Sequence, residues 1–241
     1  MFEVNNVAKK SALPIETATF LKLFVSAVCA WILIRLGGTI RKGGTNELDS
    51  RILRMLRRSD DPATPIGPKW LPDAAEDVTA LGSGANLSLA TGIVIGTLCL
   101  NRRFRAAGFL LASIGSGTVL SRLLKDFFER ERPSVVPRLT HFDPGSFPSG
   151  HSMLSALVYL TLGGIVSRQT RRLAAKVYFL SVALVLSLLV GISRVYLGVH
   201  FPSDILAGWA AGSLWSSACT QAARWLQRKG SVEAPAEPSI T

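Results

Sequence analysis

A cation, an imidazole and a carboxylate occur close together between two apolar stretches near the C-terminus: Arg194, His200 and Asp204. Pro202 suits the first position of a helix, so Asp204 falls within the first helical turn, four residues after His200. A carboxylate there can accept the Nδ1 proton of His200 and leave Nε2 as a nucleophile, as in a catalytic triad. Taken singly, Asp204 could be a helix-start charge and His200 an interfacial histidine.

A second polar group, Pro148-Ser149-Gly150-His151, opens an earlier apolar stretch. Ser149 is a favourable N-cap residue, and Gly150 lets a ligand approach the backbone. The free N–H groups and the dipole of the helix then favour an anion. His151, one residue inside the helix, could donate a proton to a leaving oxygen. The alternative is a plain capped helix that carries an incidental histidine.

A third group supplies two more cations, Lys125 and Arg132, and Pro133 follows them. Arginine offers a planar fork for two phosphate oxygens, and lysine offers a point charge for another. Basic residues at a helix end are usually interface anchors, so this pair gains meaning only beside the other two groups. Three cations and a helix N-terminus can stabilise an in-line phosphoryl transfer without a metal. We expect no metal site and no cofactor.

The composition indicates a membrane protein. The 241 residues are 48% hydrophobic and only 18% charged, with a mean hydropathy of +0.33. Residues 78–100, 177–193 and 205–223 contain no Asp, Glu, Lys or Arg, and a bilayer core of about 30 Å needs roughly 20 helical residues. The net charge of +11 could suggest nucleic acid, but the basic residues lie at the ends of apolar stretches. We therefore expect the lipid bilayer as partner and no nucleic acid.

The sequence predicts an all-α fold, a bundle of six transmembrane helices. They are placed at about 18–40, 78–100, 106–122, 149–167, 173–191 and 202–223. Gly92-x-x-x-Gly96 and Gly208-x-x-x-Gly212 would allow close helix approach. The chain divides into a leader (1–17), a first helix with a long loop (18–77), a core (78–224) and a disordered tail (225–241). The first apolar stretch could be a signal peptide, but no convincing cleavage site follows it.

The long loop is predicted to contain a helix at the membrane surface, because Leu48, Ile52, Met55 and Leu56 recur at helical spacing against a basic face. The alternative is a solvated loop helix. The short basic loops predict which side is cytoplasmic. In a six-helix arrangement both termini then face the cytoplasm, and all three polar groups lie on the extracytoplasmic face. The three cysteines, Cys29, Cys99 and Cys219, lie in apolar stretches and have no metal-type spacing.

Taken in order, the three polar groups are similar to the three-part signature of the type 2 phosphatidic acid phosphatase superfamily. The matching patterns are Lys125-x6-Arg132-Pro133, Pro148-Ser149-Gly150-His151 and Ser193-Arg194-x5-His200-x3-Asp204. Every signature position matches, and the resemblance spans about residues 78–223. The superfamily also includes vanadium haloperoxidases and bacterial acid phosphatases.

The resemblance implies that His200 attacks phosphorus to form a phosphohistidine and that Asp204 orients it. His151 would protonate the leaving group and then activate water. The expected phosphate-binding residues are Lys125, Arg132, Ser149, Gly150 and Arg194. His141, the third histidine, has no role in the signature.

A site at the outer membrane boundary favours a phospholipid or polyprenyl phosphate as substrate. The six-helix members that the chain resembles include phosphatidate, phosphatidylglycerophosphate and undecaprenyl diphosphate phosphatases. The expected location is a bacterial inner membrane, and the sequence gives no signal for an oligomeric state. Three alternatives stay open: a lipid phosphotransferase, a haloperoxidase, although the known examples are soluble, and a lipid-binding or transport protein with an inactive site.

Overall fold

The computed structural model describes residues 15–42, 47–140 and 145–233. These residues form eight helices and no strand, so the predicted all-α class is confirmed. In chain order the helices are α1 (Ile15–Arg41), α2 (Glu47–Met55), α3 (Leu71–Ala80), α4 (Gly84–Leu100), α5 (Phe104–Phe128), α6 (Gly150–Ser167), α7 (Leu173–Tyr196) and α8 (Pro202–Arg228). His141, most of the predicted leader and the end of the predicted tail lie outside the described residues.

Within the described ranges, four helices are long and apolar enough to cross a membrane: α1 from Phe20, α5, α6 and α7. A fifth span is possible if α3 and α4 count as one span that is bent by 45°. The predicted continuous helix over 78–100 is therefore wrong. The chain bends at Gly82, and Ser83 begins a new helix because its Oγ accepts a hydrogen bond from Asn86 N at 3.3 Å.

The remaining predicted span corresponds to α8, which is long enough but is not among the apolar helices that pass this test. Its position explains its polarity, because α8 packs against α1, α5, α6 and α7. A helix surrounded by other helices needs less apolar surface than one that faces lipid on most sides. The predicted count of six spans is not confirmed by length and composition.

Close packing between α6 and α8 sets the two helix N-termini side by side. A Cβ atom at Gly208 would lie 2.7 Å from Ser149 O and 2.9 Å from Ser152 Cβ. Gly212, one turn later, meets the α6 backbone at Met153. The predicted close approach at this glycine pair is confirmed. At Gly92 and Gly96 a Cβ atom would meet nothing within 4 Å, so the same prediction is wrong for α4.

The predicted loop helix exists as α2. Asp49 and Leu53 are buried, whereas Leu48 and Met55 are exposed by 58% and 68%. The buried side of α2 faces the bundle, where Leu53 packs against Val136 and Phe201. The exposed side keeps Leu48 and Met55, two of the four apolar residues from which the surface helix was predicted. Contact of this side with a membrane stays a prediction.

The two ends of the bundle carry different groups. At one end Arg57, after α2, donates to Tyr196 O at 3.0 Å and to Pro137 O at 3.2 Å, so the long loop, the segment after α5 and the end of α7 meet. At the other end the carboxylate of Glu233 accepts hydrogen bonds from the backbone N–H groups of Arg105 and Ala106. Residues 225–233, which the sequence assigned to the tail, therefore belong to the packed bundle.

Candidate active site

His200 and Asp204 form a buried pair at the start of α8. His200 is 1% exposed and Asp204 is fully buried. The Nδ1 atom of His200 lies 3.4 Å from Asp204 Oδ2, and the same oxygen accepts the N–H of Phe201 at 2.9 Å. That backbone bond caps α8 and fixes the carboxylate beside the ring. The i,i+4 arrangement predicted from the spacing is present.

The other nitrogen of His200 faces a cation. Arg132 Nη1 lies 3.1 Å from His200 Nε2 and donates to Val199 O at 2.7 Å. Arginine can only donate, so Nε2 acts as an acceptor in this contact and the ring proton sits on Nδ1, toward Asp204. This tautomer leaves the Nε2 lone pair directed at Arg132.

The surroundings of His200 favour its neutral form. Burial lowers the pKa of His200 to about 4, and the nearby Arg132 and Arg194 act in the same direction. The hydrogen bond to Asp204 and the charge of Asp204 act in the opposite direction. An imidazole with this pKa is unprotonated at neutral pH, which is the state that a nucleophile requires.

Ser149 and Gly150 lie at the N-terminus of α6 as predicted. The Oγ atom of Ser149 caps the helix and accepts from Ser152 N at 3.4 Å. The backbone N–H of Ser149 donates to Asp204 O at 3.0 Å, which ties the start of α6 to that of α8. A Cβ atom at Gly150 would lie 3.7 Å from Lys125 Nζ, so this ammonium group reaches the helix N-terminus.

His151 and Arg194 complete the set. Arg194 is buried in the last turn of α7, where Nη1 lies 3.4 Å from Thr79 Oγ1. His151 is half-buried and lies against the bend between α3 and α4, since a Cβ at Gly82 would be 3.3 Å from its Cδ2. Tyr159, two turns further along α6, donates to Leu81 O at 2.7 Å and holds this bend in place.

Three residues that were not predicted from the sequence contact Asp204 or its neighbours. Arg130 Nη1 donates to Asp204 Oδ1, and Ser146 Oγ donates to Asp204 Oδ2. Asp49, on α2, accepts from Arg130 Nη2 at 3.0 Å. Two of them lie close to signature residues in the sequence: Arg130 stands between Lys125 and Arg132, and Ser146 lies two residues before Pro148. This proximity is a signal by which they could have been found. Nothing in the sequence pattern singles out Asp49.

All eight predicted site residues lie at the same end of the bundle as the bend between α3 and α4. They come from the end of α5 and the segment after it, the start of α6, the end of α7 and the start of α8. Among residues 15–42, 47–140 and 145–233, no group of three or more His, Cys, Asp or Glu could hold a metal ion. A cavity of about 110 Å³ lies at the opposite end, and no predicted site residue lines it.

The bundle is apolar, and one of its ends carries cations, a helix N-terminus and an oriented imidazole. These features are typical of a membrane protein that binds phosphate groups. The sequence model of the PAP2 superfamily matches residues 106–228. The chain therefore belongs to the PAP2 superfamily, as its three-part signature indicated. All eight predicted site residues fall within the matched range.

Curated relatives and solved structures agree with this membership. The chain is 38% identical to phosphatidylglycerophosphatase B of Bacillus subtilis over 151 residues, which is 62% of this chain and 73% of the relative. It is 30% identical to an undecaprenyl-diphosphatase of Sulfolobus acidocaldarius over 52% of this chain and 58% of the relative. The crystal structure of a transmembrane PAP2 type phosphatidylglycerolphosphate phosphatase from Bacillus subtilis superposes with a TM-score of 0.73 and 29% identity, covering 85% of this chain and 98% of that one. The predicted class, a membrane phosphatase, is confirmed.

Proposed function

We propose that the protein hydrolyses a phosphomonoester or diphosphate of a membrane lipid through a phosphohistidine on His200 Nε2. One observation carries the proposal: His200 is buried with Nδ1 beside Asp204 and Nε2 beside Arg132. In the first half of the reaction the Nε2 lone pair attacks phosphorus and the bond to the lipid oxygen breaks. His151 gives its proton to that oxygen.

In the second half, water attacks the phosphohistidine and gives a proton to His151. The P–N bond breaks, inorganic phosphate leaves, and His200 returns to its starting state. Positive charge and backbone N–H groups hold the phosphoryl oxygens in both halves. The residues proposed for this role are Lys125, Arg132, Ser149, Gly150 and Arg194. The reaction as written uses no metal and no cofactor.

The substrate is proposed to be a phospholipid or polyprenyl lipid whose phosphate lies in the headgroup layer. The site is at the end of an apolar bundle, so a lipid can keep its tails in the bilayer while its phosphate reaches His200. Two relatives carry the names phosphatidylglycerophosphatase and undecaprenyl-diphosphatase. Phosphatidylglycerophosphate is the first substrate to test, because the relative named for it is matched over the larger share of both chains.

The proposed topology has six spans, with α8 as the sixth, α3 and α4 together as one broken span, and both termini in the cytoplasm. The short connection between α4 and α5 and the end of α8 are basic and lie together, opposite the site. Short basic loops remain cytoplasmic. This arrangement supports an active site on the extracytoplasmic face of a bacterial inner membrane.

The experiment is phosphate release by the detergent-purified protein with excess chelator. The panel contains phosphatidate, phosphatidylglycerophosphate, undecaprenyl diphosphate and a soluble phosphate ester. We expect chelator-resistant release from at least one lipid, and a loss of about 10⁴-fold or more in His200→Ala. His141→Ala serves as the matched control because the signature assigns that histidine no role.

Near wild-type release by His200→Ala would overturn the proposal. Phosphate transfer to a labelled acceptor lipid without matching free phosphate would indicate a phosphotransferase instead. No turnover of any lipid by the wild-type protein would favour a lipid-binding protein.

A further inference from the structure

Asp49 is a buried carboxylate on α2 that lies outside the family match of residues 106–228. It is 2% exposed. One oxygen accepts the backbone N–H of Ser203 at 3.0 Å, and the other accepts from Ser203 Oγ and from Arg130 Nη2. Both partners are neighbours of the candidate catalytic pair, since Ser203 precedes Asp204 and Arg130 contacts it.

Arg130 lies between two carboxylates. Its Nη2 donates to Asp49 at 3.0 Å, and its Nη1 donates to Asp204 Oδ1 and to Ser203 Oγ, the latter at 2.8 Å. The guanidinium also lies over the ring of Phe201, 4.3 Å from its centroid. A guanidinium group that donates through both terminal nitrogens and packs on an aromatic ring with one face has a single orientation. Asp49 is thus one of four residues that hold Arg130, and it contacts the nitrogen that does not contact Asp204.

We propose that Asp49 is a positioning residue for the phosphatase reaction proposed above. It acts through Arg130, whose orientation keeps Asp204 aligned with Nδ1 of His200. Without the Asp49 carboxylate, Arg130 keeps a single buried carboxylate partner and Ser203 N–H loses its acceptor, both in a region of low dielectric. The candidate active site therefore depends on a residue of the long loop between α1 and α3, a segment that contains no signature position.

The same loop has other anchors, so loss of the Asp49 charge need not detach it. Leu53 is fully buried against Val136 and Phe201. Arg57 donates to the backbone of Tyr196 and Pro137. A substitution that keeps the shape of Asp49 and removes its charge therefore tests the orientation of Arg130 more than the attachment of α2.

The test compares Asp49→Asn with Asp60→Asn in the purified full-length protein, using the best lipid substrate of the panel. Asp60 is the matched control, an exposed carboxylate of the same loop whose salt bridge is with exposed Arg58 at 2.9 Å. We expect Asp49→Asn to lower kcat by about 10- to 100-fold, as loss of a residue that orients a reactive group does, with KM within about twofold of wild type. Asp60→Asn should match wild type in both constants.

A second comparison separates positioning from general damage. If Asp49 acts through Arg130, the double variant Asp49→Asn/Arg130→Gln should have the kcat of Arg130→Gln alone. Losses that multiply in the double variant would overturn the proposal. So would an unchanged kcat in Asp49→Asn, or an effect confined to KM. Failure of the proposed function shows differently, as a wild-type protein that releases no phosphate or a His200→Ala variant that still does.

Discussion

At the scale of single residues, two opposed contacts orient the proposed nucleophile. Asp204 holds the proton of His200 on Nδ1, and Arg132 faces the lone pair of Nε2. Burial and the neighbouring arginines keep the ring neutral against the attraction of Asp204. In the proposed reaction, the phosphate group of the substrate would replace Nε2 as a partner of Arg132, and the Nε2 lone pair would then be available for attack.

The lowered pKa of His200 predicts activity in acid. Attack requires the neutral ring, and a pKa of about 4 keeps that form dominant well below the usual histidine value of 6.5. The acid limb of kcat/KM that belongs to His200 should therefore lie near pH 4. The measurement is a pH profile with two substrates whose phosphates ionise at different pH, since a limb from the substrate moves with it. A limb near pH 6.5 that is common to both substrates would contradict the prediction.

The signature residues could be predicted from sequence because each occurs in a short motif whose residue types imply its chemistry. Arg130, Ser146 and Asp49 could not, because their importance depends on contacts between segments far apart in the chain. Asp49 and Ser203 are 154 positions apart. An aspartate in the first turn of a short helix is explained equally well by the helix dipole, so its type and position carried no further signal.

At the scale of elements, the site depends on how closely α6 approaches α8. The start of α6 carries Ser149, Gly150 and His151, and the start of α8 carries Asp204. Gly208 allows this approach, since a Cβ atom there would lie 2.7 Å from the backbone oxygen of Ser149. The backbone cannot yield as a flexible side chain would, so any larger residue must push the two N-termini apart.

Gly208→Ala is therefore expected to destabilise the protein by about 1 to 3 kcal/mol and to lower kcat. Gly92→Ala is the matched control, a mid-helix glycine whose added Cβ would meet nothing within 4 Å. The control should be neutral or stabilising by up to about 1 kcal/mol, because alanine loses less backbone entropy on folding. Thermal unfolding in detergent and kcat measure both effects. Equal changes in stability and in kcat for the two variants would show that the site does not depend on the close α6–α8 contact.

The helices themselves were largely predictable, but the bend between α3 and α4 was not. Residues 78–100 lack charge, and an uninterrupted apolar stretch is typical of one straight span. The chain instead bends at Gly82, where Tyr159 holds Leu81 O at 2.7 Å. The bend has two causes, the capping by Ser83 and the contact with α6, and a hydropathy pattern shows neither of them. The predicted ends of α5 and α7, at about 122 and 191, fell short, since the two helices continue to Phe128 and Tyr196.

At the scale of the whole molecule, the two ends of the bundle are chemically distinct. The site, the bend and the loop that follows α1 lie together at one end. The basic connection between α4 and α5 meets residues 230–233 at the other end. An asymmetric distribution of this kind orients a membrane protein during insertion. The orientation decides which leaflet supplies the lipid.

Cysteine labelling tests this orientation. In a background with Cys29, Cys99 and Cys219 replaced by alanine, Asp61→Cys places a thiol at the exposed site end and Arg171→Cys places one at the opposite end. In intact cells a membrane-impermeant maleimide should label the first thiol, and the second only after permeabilisation. Labelling in the reverse order would place the site in the cytoplasm.

The contact between Asp49 and Ser203 also has a consequence for how the protein is made. A ribosome that adds about 5 to 20 residues per second needs roughly 8 to 30 seconds to travel the 154 residues between them. Throughout that interval Asp49 has been synthesised while its partner Ser203 on α8 does not yet exist. The nascent chain thus carries a carboxylate whose partner on α8 is made much later, and the contact cannot form before α8 has been synthesised.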